Sequence, residues 1–588
     1  MMTKLFLLFA AVLTLAACIP RGASAAGRDL FSDTWVATDA LGRRLPTASA
    51  ARAARGDRFV GIFYFLWQGE HGTSGPYDNT RLLAADPENP AFGPVGAFHW
   101  WGEPAVGYFR ADDPWVVQRN IAMLQTAGVD VLLCDVTNAF TYPKEVQVLC
   151  EVMRKMRREG NRTPQIAFVT HAFSADTVAK LYNEFYSKNL YPEFWFHWQG
   201  KPLILGPENE KRRDGTPLPS PIHDFFTWRD SWAWEPGQHK WQWIDRYPQR
   251  YGWDRDPKVA EEAPVAVASH PTSNIGRSFH NGKQPPIDRQ AMAADTNQGL
   301  HFAEQWRRLL EIDPQFAFID GWNEWVAQRF TTAKGQRIDL LGKTLPEGGS
   351  FFVDAYTEEF SRDIMPMKGG YGDNYYFQMV EGIRRFKGVR PLPKASGAAT
   401  ISLGGSFAQW RMVAPEYRDA IGDTTRRDWP GWGTLHYKDA SGRNDITTAK
   451  VACDQNNIYF LVQTKDKVTS YRDPNWMLLL IDADQNPKTG WGGYDFVVNQ
   501  RVLNSTTTTI TRLRDGKTTR VRYRVSGNQM MIAVPRAQLG LDRNRKIAFD
   551  FHWVDNCPIG GDINAFWYTG DSAPDGRFNY RYENARVR

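Results

Sequence analysis

Glu324 lies at the end of the stretch Phe316-Ala-Phe-Ile-Asp-Gly-Trp-Asn-Glu-Trp325, a short apolar run that stops in polar and aromatic residues. The run has the length and composition of a buried strand. A carboxylate just past such a strand, between the indoles of Trp322 and Trp325, can exchange a proton or stabilise developing positive charge. The indoles offer flat apolar faces that suit the C–H face of a pyranose ring. Asp320 and Asn323 share the stretch. Cleaving a glycosidic bond takes two carboxylates held in different protonation states, and Glu324 supplies the first. Asp135, which ends the apolar run 129–135, is the expected second, with Asp320, Glu103, Glu70 and Asp230 behind it.

His171 and His270 each follow a further apolar run, and Trp228-Arg229 ends another. At strand ends, His171, Arg229 and His270 would orient hydroxyls or a substrate carboxylate. Trp67 ends the first run, and Trp101 and Glu103 lie on the long loop beyond it, where they can cover a substrate. For any one of these residues a structural polar or core role is the plainer reading. Their shared placement after strand-like runs is the argument for a site.

That placement holds only if the runs are parallel strands. From Arg58 to about Gly388, short apolar runs alternate with helical periodicity. The runs 58–67, 129–135, 165–170, 202–205, 224–228 and 265–269 read as strands. Asp113-Pro114 opens a helix that Ala127-Gly128 closes. Segments 142–159, 175–188 and 300–312 are helical, and 354–387 is a closing helical segment. Alternation of this kind predicts a parallel sheet, and the number of units predicts an α/β fold of the (β/α)8 barrel type over 28–388. No Gly-rich phosphate loop follows the first strand, which argues against a dinucleotide fold. There is no Gly-x-Ser-x-Gly elbow and no His-x-x-x-His pair, so serine nucleophiles and catalytic zinc have little support. No cofactor is expected for catalysis. A Pro- and Gly-containing linker over 389–405 leads to 406–588, where short strands between Gly, Asn and Asp turns predict a β-sandwich. Within it Asp482, Asp484 and Asn486 place oxygen side chains at alternate positions before Thr489-Gly490, with Asp495 after them: a calcium loop or a polar turn.

At 588 residues the chain exceeds one core. The net charge of +6 is small, and no run of five basic residues occurs, which excludes nucleic acid as an expected partner. The 23 tryptophans include many in loop-like contexts, such as Trp100-Trp101, Trp228 to Trp232, Trp429, Trp432 and Trp491. Exposed indoles with little charge favour carbohydrate. Lys4, the apolar stretch 5–17 and Leu15-Ala-Ala-Cys18 read as an export leader with a lipobox. That reading makes 1–27 leader and tether, and the product an outer-membrane lipoprotein facing periplasm or cell surface, in contact with membrane only through its lipid. Ala23-Ser24-Ala25 is the alternative, ordinary cleavage site. A monomer is expected. Cys453 and Cys557 fall in one domain and could pair, whereas Cys134 and Cys150 read as buried thiols.

The segments Phe302-Ala-Glu-Gln-Trp306, Asp313-Pro314 and Phe318-Ile-Asp-Gly-Trp-Asn-Glu-Trp325 resemble the glycoside hydrolase family 99 and WbsX-like group. Gly107-Tyr108-Phe109, Asp113-Pro114 and Ala127-Gly128-Val129-Asp130 resemble the opening of the same fold. The resemblance implies a (β/α)8 barrel that processes mannose-type or related glycans. In that family the strand-end motif carries two acids. Glu324 matches the first, and the second falls on Ala327, which cannot transfer a proton. The acid/base arrangement and the mannosidase specificity therefore do not carry over whole. Gly442-Arg-Asn-Asp445 and Ile481 to Trp491 are similar to family 9 carbohydrate-binding sandwiches. The expectation is an exported glycoside hydrolase of a polysaccharide or complex glycan. A non-catalytic glycan-binding lipoprotein and a polysaccharide lyase are the alternatives.

Overall fold

The computed structural model describes residues 28–541 and 546–584, so the leader, with Lys4, Cys18 and Ala23-Ser24-Ala25, lies outside the described residues. Seven parallel strands form the first domain: Phe59–Tyr64, Val131–Asp135, Gln165–Val169, Lys201–Leu205, Thr227–Arg229, Glu262–Ala266 and Phe316–Asp320. Nearly every residue in them is buried, as a sheet covered on both faces requires. Each strand lies beside its predecessor from Phe59–Tyr64 through Thr227–Arg229, and Phe316–Asp320 returns beside Phe59–Tyr64. The sheet curls. Phe196 and Trp198, beside Lys201–Leu205, reach Phe316 at 6.1 Å each and Phe59 at 5.9 and 5.7 Å. Strands about 4.8 Å apart in a flat sheet could not bring those rings together.

The hydrogen-bonded ring stays open between Thr227–Arg229 and Glu262–Ala266. Segment 230–261 fills the seam without forming the eighth parallel strand that the barrel expectation required. Pro236, Gly237 and Pro248 interrupt it, and proline cannot donate to a ladder. Trp241 donates its N–H to the Asp230 carbonyl at 2.8 Å and packs its ring on Phe316 at 4.4 Å. The strand expected over 265–269 begins earlier, at Glu262, whose buried carboxyl accepts the Gln242 N–H at 3.2 Å.

The outer helices follow their local signals. Pro114–Ala127 starts at Asp113, whose carboxylate accepts from the N–H groups of Trp115 and Val116, and ends at Gly128 with φ 92°. Pro143–Arg158, Ser174–Leu181, Leu300–Ile312 and Asn374–Lys387 complete the layer. The closing segment is helical only from Asn374; residues 354–373 are mostly irregular and run toward the strand ends.

Among the described residues the second domain is built on one antiparallel sheet of eleven strands, from Glu416–Arg418 to Tyr580–Asn584, beside a separate hairpin of Arg427–Pro430 and His436–Asp439. Phe460 meets Phe549 at 5.7 Å and Phe551 at 5.9 Å, although their strands are far apart along the ladder. The two faces of the expected sandwich are therefore one sheet rolled onto itself. Ile401 is buried with Trp410 and Tyr459, so the end of the linker belongs to this core. The domains interlock. Trp35 packs edge-on against Phe578 and Tyr580 at 5.6 Å each, and Arg119 reaches Asp575 at 3.3 Å. Cys134, Cys150, Cys453 and Cys557 are free and buried, so the pairing considered for Cys453 and Cys557 is not formed. Among the described residues no helix is long and apolar enough to cross a membrane.

Candidate active site

Glu324 is held by its backbone before its side chain is considered. Asn323 accepts the Phe65 N–H at 2.8 Å and donates to the Phe65 carbonyl at 3.0 Å. Only an amide side chain both donates and accepts in this way. The clamp joins the chain leaving Phe59–Tyr64 to the chain leaving Phe316–Asp320. The Glu324 N–H donates to Asp363, and the Trp101 indole donates to Asp363 and to the Glu324 carbonyl at 3.1 Å each.

The Glu324 carboxyl pairs directly with the Arg362 guanidinium, and both side chains are almost wholly buried. Arg362 also lies 3.5 Å from Asp320 and 3.8 Å from Asp354. His270 lies 3.3 Å from Asp354, and the guanidinium sits 5.0 Å over the Trp243 ring. One cation thus serves three carboxyl groups. Burial drives the Glu324 pKa well above the usual carboxylate range, with Arg362 opposing and Asp354, Asp363 and Asp135 adding to the rise. Burial pushes Asp320 to about 7, against Arg362. Burial also pushes Asp135 to about 6, against the Thr137 N–H bonded at 3.0 Å. Asp354 goes the other way: burial works upward, but His270 and Arg362 outweigh it and hold its pKa down. Its side chain is 32 % exposed, which makes it the accessible acid of the group.

Partly exposed aromatic residues stand around these acids. His171 stacks on Trp232 with centroids 3.4 Å apart, and Trp232 meets Trp243 edge-on at 5.7 Å. Trp234 lies 5.8 Å from His270. On the Asp135 side, Asn138 donates to the Tyr142 hydroxyl at 2.6 Å, and His71 shares that hydroxyl at 2.8 Å. Trp67, Phe98 and the 56 % exposed Phe140 group around His71. Asp320, Glu324 and His270 thus meet at Arg362. His171 reaches Trp243 through Trp232, and Trp67 belongs to the group around His71.

Other expected site residues have different work. Trp101 and Trp325 stack on each other at 4.1 Å with no exposed face, and Trp322 is equally buried. These three are core, since a ring already covered on its faces offers no platform. Trp228 is buried, with its indole bonded to the His223 carbonyl at 2.9 Å. Arg229 is spent on Glu261 through two bonds of 2.7 Å, so no charge remains for a substrate. Glu103 pairs with Lys368 at 2.5 Å and with Arg81, away from Arg362. Sequence reasoning missed Arg362, Asp354, Asp363 and Trp243. The charge-dense run Asp354 to Asp363 amid aromatic residues was the available signal for the first three.

In the second domain, Asp482, Asp484 and Asp495 present carboxylate oxygens within 4.8 Å of one another. Asn486, expected as the third donor, turns its side-chain oxygen to the Lys488 N–H at 3.2 Å, and Asp495 stands in its place. Three hard oxygen donors fit calcium. Burial, then Asp550 and Asp495, push the Asp482 pKa to about 8. Of the three tryptophans expected as second-domain platforms, Trp432 is wholly buried, while Trp429 and Trp491 are half-buried, with their indoles bonded at 3.3 Å to Asp112 and to the Gly561 carbonyl.

No sequence-family model matches the chain, and no characterised protein sequence does. Two solved structures of the GH99 endo-alpha-mannosidase from Bacteroides thetaiotaomicron are similar to it. One, in complex with BIS-TRIS-propane, is 12% identical with a TM-score of 0.30, over 56% of this chain and 97% of that one. The other is 13% identical with a TM-score of 0.31, over 57% and 98%. At these values the side chains around Arg362, not the likeness, bear the functional reading.

Proposed function

We propose that the protein is a glycoside hydrolase of a polysaccharide or complex glycan, with Glu324 and Asp135 as its working carboxyl groups. The supporting observation is the set of differently poised acids around one buried Arg362, beneath a rim of partly exposed aromatic rings. Glu324, driven upward by burial, holds the proton and acts as general acid toward the leaving oxygen. Asp135, ionised above about 6, acts as base or nucleophile. Arg362 sets the charge of the group and Trp232 supplies a sugar-facing ring. Asp354 competes with Asp135 for the second role, because its depressed pKa and exposure give it an ionised, reachable carboxylate.

The test is a polysaccharide panel run with the wild type and Glu324→Gln, Asp135→Asn and Asp354→Asn. Reducing ends released by the wild type, and lost in Glu324→Gln with either aspartate variant, support hydrolysis. An ultraviolet-absorbing unsaturated product would replace the hydrolase by a lyase. Glycan binding without turnover would make the chain a binding protein. The second domain is read as glycan-binding on its partly exposed Trp491, with calcium held by Asp482, Asp484 and Asp495. Export as a lipoprotein is part of the same reading, and Cys18→Ala is expected to free the protein from the membrane fraction.

A further inference from the structure

We propose that Trp432, at the turn of a second-domain hairpin, is a positioning residue for Glu324. The inference rests on the glycosidase reading of that site. The hairpin pairs Arg427–Pro430 with His436–Asp439 and projects onto the long loop that follows the first barrel strand. The Trp432 N–H donates to the Tyr108 carbonyl at 2.9 Å, and its indole donates to the Ser74 carbonyl at 2.9 Å. Its ring meets Trp100 edge-on at 5.2 Å, and neither ring is exposed. Arg427 fixes the base of the hairpin, bonded at 2.8 Å to Asp113 and at 2.6 Å to the Val106 carbonyl.

Trp100 leads directly to the catalytic loop. Phe98–Trp100 pairs antiparallel with Val326–Gln328, and Trp100 opposes Val326. The next residue, Trp101, donates its N–H to the Trp325 carbonyl at 3.2 Å and its indole to the Glu324 carbonyl at 3.1 Å. The peptide that carries Glu324 is thus backed by residues 98–101, and within them Trp100 is met by Trp432. Space is tight along this contact: a Cβ at Gly107 would lie 2.4 Å from the Tyr437 hydroxyl, and one at Gly433 would lie 2.7 Å from the Gly75 carbonyl. Close packing of this kind transmits a displacement instead of absorbing it. Removing the Trp432 ring leaves Trp100 held by Tyr108 and Phe109 alone and opens space into which the strand pair 98–100 and 326–328 can shift.

The experiment compares wild type, Trp432→Ala, Trp432→Phe and Arg427→Lys by hydrogen exchange and by turnover of whichever panel glycan the wild type cleaves. In Trp432→Ala we expect faster exchange at the Trp101 and Glu324 amides and kcat lower by roughly ten- to a hundredfold, with KM changed less than threefold. Trp432→Phe, which keeps a ring against Trp100, should recover most of kcat. Should Trp432→Ala fail to fold, Arg427→Lys gives the milder disturbance and should show the same pattern in smaller degree. Lowered melting temperature with unchanged kcat and unchanged exchange at Glu324 would overturn the proposal, leaving Trp432 a stabilising contact. If the wild type cleaves nothing, the glycosidase reading fails, and unchanged exchange at Trp101 and Glu324 would separately overturn the positioning role.

Discussion

Arg362 touches Glu324 directly, with both side chains all but removed from solvent. A buried guanidinium in contact with one acid and close to two more fixes how many protons the group holds.

Replacing Glu324 by Gln keeps shape and hydrogen bonding and removes the transferable proton. Turnover should fall at least ~10²-fold. Arg362 keeps Asp320 and Asp354 beside it, and Gln replaces a neutral carboxyl, so the melting temperature should change little. Full activity on a confirmed substrate would remove Glu324 from the mechanism.

Asp135, at about 6, places the acidic limb of the rate profile. If it works ionised, kcat/KM rises with pH through about 6, and Asp135→Asn abolishes activity. A limb that persists in Asp354→Asn and vanishes in Asp135→Asn assigns it; the reverse pattern transfers the role to Asp354.

Between the domains, burial and neighbouring carboxylates push Asp575 to about 8 and Asp445 to about 7. The folded state holds these protons more tightly than the unfolded chain does. Their stabilising contribution is complete below about 4 and is lost as pH rises through about 7 to 8. Asp575→Asn should therefore flatten the fall in melting temperature between pH 5 and 8, relative to wild type, as followed by calorimetry.

Calcium at millimolar concentration should raise the melting temperature of the full chain, since an ion bound only to the folded state stabilises it. Asp484→Asn should remove that rise. A wild-type melting curve indifferent to both calcium and chelator would reduce the loop to a polar turn.

Trp232→Ala is expected to weaken glycan binding roughly three- to tenfold, the range for one aromatic platform. Trp325→Ala should instead destabilise the fold, since it empties a space against Trp101. Titration of binding and melting on both variants separates platform from core.

Local signals were legible. Asp113-Pro114 and Gly128 gave the bounds of Pro114–Ala127, because capping depends on neighbours in sequence. The apolar runs gave most strands of the parallel sheet for the same reason. Long-range pairing was not legible: nothing near Arg229 announces Glu261, and nothing near Glu324 announces Arg362. Tryptophan misled most, since Trp101, Trp322 and Trp325 have the composition of a sugar platform and the surroundings of a core. The seam, too, was hidden, because aromatic density in 230–261 does not reveal whether the segment pairs as a strand or packs as a plug.

An open seam leaves two strand edges, at Thr227–Arg229 and Glu262–Ala266. Bare edges recruit other chains, because their unpaired N–H and C=O groups can template new ladders. Segment 230–261 occupies that position with bonds of its own, including the Trp241 N–H on Asp230 and the Gly252 N–H on the Glu262 carbonyl at 2.9 Å. The segment thus keeps those edge groups occupied within the chain. Shortening it should expose the strand edges at Thr227–Arg229 and Glu262–Ala266 and make the chains prone to aggregate.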